Sequence, residues 1–162
     1  MAIVPNIVRS WRSPRVVMRE LLAQGAREDR ALATLIAAAI IMFVAQWPMH
    51  ARAAHLDPAI PLEARLAGAG MGAIFILPLV AYAIAALSHL LARVFGGRGG
   101  GWRARMALFW AMLAVSPAVL LRGLVAGFIG PGPELTLAST ALAVGFLAIW
   151  GGGLRVAEFE AG

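Results

Sequence analysis

Residues 66–92, LAGAGMGAIFILPLVAYAIAALSHLLA, form a run of 27 positions without Asp, Glu, Lys or Arg. About 20 consecutive apolar residues cross the hydrocarbon layer of a bilayer as a helix, so this run is long enough to span one. Gly68, Gly70 and Gly72 cluster near its start and Pro78 lies inside it. A glycine pair four residues apart lets two helix backbones approach closely, while proline removes one helical hydrogen bond. The run predicts a spanning helix from about Ala69 to Leu91, with Gly68 and Gly72 as helix-packing positions.

Outward from this stretch the same pattern recurs. Charge-free runs cover 21 positions after Arg30, 16 after Arg105, 11 after Arg122 and 20 after Glu134. Of the 162 residues, 61% are hydrophobic and 14% charged, with a mean hydropathy of +0.82. A soluble domain carries about 45–50% apolar and about 25% charged residues, so the chain lacks the polar surface to cover a water-facing globule. The expected fold is an all-α polytopic membrane bundle of about four transmembrane helices, preceded by an N-terminal amphipathic helix. The spans are predicted over Ala31 to Trp47, ended by Pro48, then Ala69 to Leu91, Met106 to Gly130, and Leu135 to Leu154. The third stretch is either one helix interrupted at Ser116-Pro117 and Arg122 or two shorter segments, which would make five crossings. Gly123 and Gly127 repeat the four-residue glycine spacing there.

The organisation read from the sequence is a basic arm over 1–30, a transmembrane domain over 31–158 and a short tail over 159–162. Six arginines in the arm precede the first long apolar run, which does not have the layout of a secretory signal. Ser13 and Pro14 mark a helix start and Gly25 a stop, with Val17, Met18, Leu21 and Leu22 on one stripe. Such a helix suits either the headgroup boundary, with Arg12, Arg15 and Arg19 toward lipid phosphates, or packing on a partner or on this protein's own loops.

The net charge of +6 comes from 14 arginines and no lysine against eight acids. The arginines flank apolar runs rather than forming one basic face, so they report membrane topology and not nucleic-acid binding. Six precede span one, two lie in the near-neutral loop Met49 to Arg65, four surround the connector at Arg98, none lies in the Gly130-Pro-Gly-Pro turn and one lies in the tail. The positive-inside tendency then places the N-terminus and the connector in the cytoplasm. A chain rich in Ala, Arg and Gly without Lys fits a GC-rich bacterial genome, and hence an inner membrane. The absence of cysteine excludes disulfides, thiolate metal sites and thiol nucleophiles.

Ser88-His89-Leu-Leu-Ala-Arg93 running into Phe95-Gly-Gly-Arg-Gly, then Arg105-Met-Ala-Leu-Phe-Trp110, Ser116-Pro117, the Gly130-Pro-Gly-Pro turn, and a last span closing on Trp150 and Leu154-Arg-Val-Ala-Glu158 together resemble the Yip1-domain family of small multi-pass membrane proteins. The resemblance covers roughly residues 30 to 158 and is closest to the short bacterial type. It implies an all-helical integral membrane domain with a cytoplasmic N-terminal arm. The family is usually drawn with five spans, whereas the charge-free runs here most simply give four, and no family site residue carries over.

Ionisable residues inside a membrane are the first candidates for function. Arg122 suits a lipid phosphate, Glu134 or a partner's carboxylate, although an arginine snorkelling to the surface explains it more simply. His89, one turn before Arg93, reads as an interfacial residue. His50, His55 and Asp57 lack a third firm metal ligand. Ser116 has no nucleophile-elbow setting, and the glycines from Phe95 to Gly101 lack the Lys-Ser/Thr ending of a phosphate loop and read as a flexible hinge. No catalytic residue, cofactor or metal site is expected. The expected role is a non-enzymatic scaffold or accessory subunit that meets membrane lipids and other integral membrane proteins, or itself, through helix packing. A small transporter or channel subunit is the alternative.

Overall fold

The computed structural model describes residues 3–160, and every regular element among them is helical. The elements are α1 (Ile3–Ser10), α2 (Pro14–Leu22), α3 (Glu28–Leu56), α4 (Leu62–Met71), a π-helical turn (Gly72–Ile76), α5 (Leu77–Val94), α6 (Gly101–Ala114), α7 (Ser116–Phe128) and α8 (Pro133–Phe159). Residues 161–162 of the expected tail lie outside the described residues.

Three helical stretches are long and apolar enough to cross a membrane: Glu28–Leu56, Leu62–Val94 and Pro133–Phe159. A fourth is obtained when α6 and α7, bent by 46° at Val115, are counted as one broken span. The bend falls where Pro117 enters the first turn of α7 and cannot continue the α6 hydrogen-bond ladder. In Leu62–Val94 the proline is handled differently. The π turn, closed by Leu77 N donating to Gly72 O, widens the backbone just before Pro78, so the helix stays continuous.

Proline 48 does not end α3, contrary to the expectation from sequence, and the helix continues to Leu56. Its ring packs on Gly127 of α7, where a side chain would collide with it. One turn earlier on α7, Gly123 lies against the main-chain carbonyl of Ala45. Gly123 and Gly127 therefore bring α3 and α7 of the same chain into backbone contact.

Helix α6 occupies the centre. Every residue from Met106 to Ala114 is buried, which is how a helix that is apolar on all sides must be placed. It is enclosed by α1, α2, α3, α5 and α8, and Phe109 meets Tyr82 of α5 edge-on at 5.0 Å. The predicted stripe of α2 supplies part of this cover. Val17, Met18, Leu21 and Leu22 are buried in the same core as Leu35, Ala81 and Trp110. Pro14 and Met18 rest on Gly152 and Gly153 of α8, which present a flat backbone surface. Of the two sequence readings of this helix, the fold matches packing on the protein itself, since the α2 stripe belongs to one core with the spans.

The helix ends sort into two groups. Glu28, Val94, Gly101 and Phe159 gather with α1 and α2 at one end, here the proximal end, as the pairs Arg105–Glu28, His89–Glu158 and Arg19–Glu160 require. Leu56, Leu62, Phe128 and Pro133 form the distal end, where Arg52 lies against Gly127 and Gly130.

Candidate functional site

A polar cluster closes the proximal end. Glu158 lies in the last turns of α8 with its side chain fully buried. Its Oε1 shares a hydrogen bond with His89 Nδ1 of α5 at 2.7 Å, and its Oε2 is buried without a partner among the described residues. The main-chain carbonyl of Glu158 accepts from Arg98 N at 2.7 Å and Gly99 N at 3.1 Å. A side chain at Gly99 would overlap the Ala157 carbonyl, so only glycine lets the connector lie this close to α8. At the other end of the connector, Gly96 turns the chain at φ +88° and Gly97 N caps α5 by donating to Ala92 O. The glycine-rich connector expected to be a flexible hinge is therefore docked on α8 through main-chain bonds.

Neighbouring ion pairs extend the cluster. Arg105 of α6 bonds Glu28 at the start of α3. Arg19 of α2 reaches Glu160 at 2.7 Å. Arg9 and Glu20 join α1 to α2 through two hydrogen bonds of 2.7 and 2.9 Å. This hydrogen bonding, more than charge attraction, holds the Glu20 carboxyl below its ordinary range. A histidine beside a buried carboxylate is half of an acyl-transfer triad, but among the described residues His89 has no hydroxyl partner. No group of three His, Cys, Asp or Glu side chains there is placed to hold a metal ion.

The N-terminal hairpin is anchored by two indoles. Trp110 Nε1 donates to the buried Ser10 Oγ at 2.9 Å, and Ser10 Oγ donates to Asn6 O at 2.7 Å. Trp11 Nε1 donates to Ala114 O at 3.0 Å, next to the α6–α7 break, while its ring lies over Gly145. Ile3, Val4, Val8 and Val16 remain exposed. Arg12 and Arg15 are exposed and have no acidic partner among the described residues, whereas Arg19 is engaged with Glu160.

Arg122 is half-buried, and its Nε donates to Ser139 Oγ of α8 at 2.9 Å. The expected alternative of a pair with Glu134 is not formed among the described contacts. Gly68 and Gly72 have no neighbour within 4 Å of the place a Cβ would occupy, so this pair faces open space where Gly123 and Gly127 do not. His50, His55 and Asp57 lie at the end of α3 without converging. Sequence reading missed Glu158 because 69 residues separate it from His89, and neither carries a local motif. The only local signal is an acid following the apolar pair Val156-Ala157.

No protein-family profile, curated protein or solved structure matches this chain. Fold and composition establish an all-helical membrane protein with three helices able to cross a bilayer, or four with the bent pair counted as one span.

Proposed function

We propose that this chain is a four-span, non-enzymatic protein of a bacterial inner membrane, similar in texture to the Yip1 domain, that acts as a scaffold or accessory subunit. Its N-terminus and glycine-rich connector face the cytoplasm, following the arginine count. The observation that carries this reading is the open Gly68/Gly72 face on Leu62–Val94, bordered by the exposed apolar side chains Met71, Phe75 and Ile76. Small residues on a lipid-facing helix support close approach by a second helix, from a partner protein or another copy. At the proximal end, Arg12 and Arg15 meet anionic headgroups, each charge contributing about 1 kcal/mol near such a surface.

The second reading is a small transporter or channel subunit, favoured by the break at Val115 and the local widening of the helix at the π turn before Pro78. Purification in mild detergent with mass spectrometry of co-purifying chains separates the two. The scaffold reading expects a stable complex that Gly68→Leu with Gly72→Leu dissociates without lowering the thermal stability of the chain itself. A lone monomer that moves a solute across liposome membranes would overturn it in favour of the second.

A further inference from the structure

Between α3, α5, α8 and the α6–α7 bend lies a cleft of about 360 Å³. Leu77, Ala81, Met112, Val115 and Phe146 contribute to its apolar wall, and Ser139 is its one polar lining residue. The hydroxyl of Ser139 is the group that accepts from Arg122 Nε. Met42 and Val119 line both this cleft and a smaller adjoining space that holds Arg122 and Gln46. An arginine head therefore stands at the end of an apolar trough.

The placement along α8 is informative. Its 27 residues extend roughly 40 Å at about 1.5 Å each, against a hydrocarbon layer of about 30 Å. Ser139 lies six residues, about 9 Å, along α8 from its distal end, and Phe146 about 10 Å further toward the proximal end. With Nε on Ser139, Nη1 and Nη2 of Arg122 have no hydrogen-bond or ion-pair partner among the described residues. A guanidinium offering two parallel N–H groups matches a phosphate in bidentate fashion, and an unpaired charge at this depth is costly without one. The cleft opens on the outside of the helix bundle and its wall is almost wholly apolar, which suits an extended alkyl chain.

We propose that this cleft binds one acyl chain of an anionic glycerophospholipid of the distal leaflet, with the lipid phosphate on Arg122 and Ser139 fixing the guanidinium. The site is separate from the Gly68/Gly72 face and does not depend on the scaffold reading.

The test is native mass spectrometry of the full chain carrying Arg12→Gln and Arg15→Gln, which takes two exposed proximal arginines out of the result, titrated with phosphatidylglycerol. One tightly retained lipid is expected. Arg122→Gln should raise its dissociation constant at least tenfold and Arg122→Lys by less. Ala143→Trp, at an exposed position lining the cleft, should displace the lipid with an unchanged thermal midpoint. Undiminished lipid retention by Arg122→Gln or Ala143→Trp would overturn the proposal. So would equal retention of phosphatidylcholine, or displacement by glycerol 3-phosphate at concentrations matching the lipid, since the first denies the charge and the second denies the chain.

Discussion

Glu158 and His89 show how much can depend on one contact. Removing one partner of a buried hydrogen bond leaves the other polar group unsatisfied, at a cost of about 1–3 kcal/mol, while replacing both by apolar groups of similar shape is often nearly neutral. His89→Ala is therefore expected to destabilise the chain by about 2 kcal/mol, and His89→Leu with Glu158→Leu should recover most of the loss. Thermal unfolding in detergent, read by circular dichroism, measures both. Glu20 gives a pH signature. Its carboxyl is held below the ordinary value of about 4.3 by the Arg9 hydrogen bonds. The pair thus supports the α1–α2 hairpin fully above that value, and the support is lost as pH falls through the lower folded value. Hydrogen exchange within residues 3–22 should rise over that acid range in the native chain and become flat in Glu20→Gln. Arg122 was legible in the sequence because a charge inside an apolar run has to be accounted for. Its partner Ser139 was not, since one hydroxyl among several on a spanning helix carries no mark of its orientation.

Helices that face one environment were legible, and helices whose environment changes along their length were not. The stripe of α2 follows from a 3.6-residue period, but the period is blind to whether lipid or protein covers it. The answer came from Gly152 and Gly153, which give Pro14 and Met18 a flat seat. Pro48 was misread as a stop because the rule treats a proline in isolation, whereas Gly127 opposite makes room for its ring. The glycine connector was misread for a related reason, since glycine marks close approach as well as freedom. Gly123→Ala tests the α3–α7 contact. Its methyl group would overlap the Ala45 carbonyl, and overpacking of this kind typically costs about 1–3 kcal/mol. A lowered melting temperature is expected, with Gly68→Ala, in open space, as the unaffected control.

At the scale of the whole molecule, the two groups of helix ends make a topology that can be checked directly, because the chain has no cysteine of its own. Single cysteines replacing the exposed Ala23 and Gly100 should react with an impermeant thiol reagent from one face of the membrane, and those replacing Ala59 and Pro131 from the other. Labelling of Gly100→Cys and Pro131→Cys from the same face would show that α6 and α7 do not cross as one bent span. The number of long apolar runs was readable from charge spacing alone, whereas the central position of α6 was not, because its uniform apolarity looks the same in lipid and in a protein core.

The hairpin made by α1 and α2 also bears on the order of events during synthesis. Trp11 bonds a carbonyl 103 residues further along, and Arg19 an acid 141 residues away. At roughly 5–20 residues per second, about 5–20 s pass on the ribosome before the carbonyl that Trp11 bonds has been made. Until then Val17, Met18 and Leu21 have only the bilayer surface or a chaperone to cover them, so the hairpin reaches its final place only after segments made long after it.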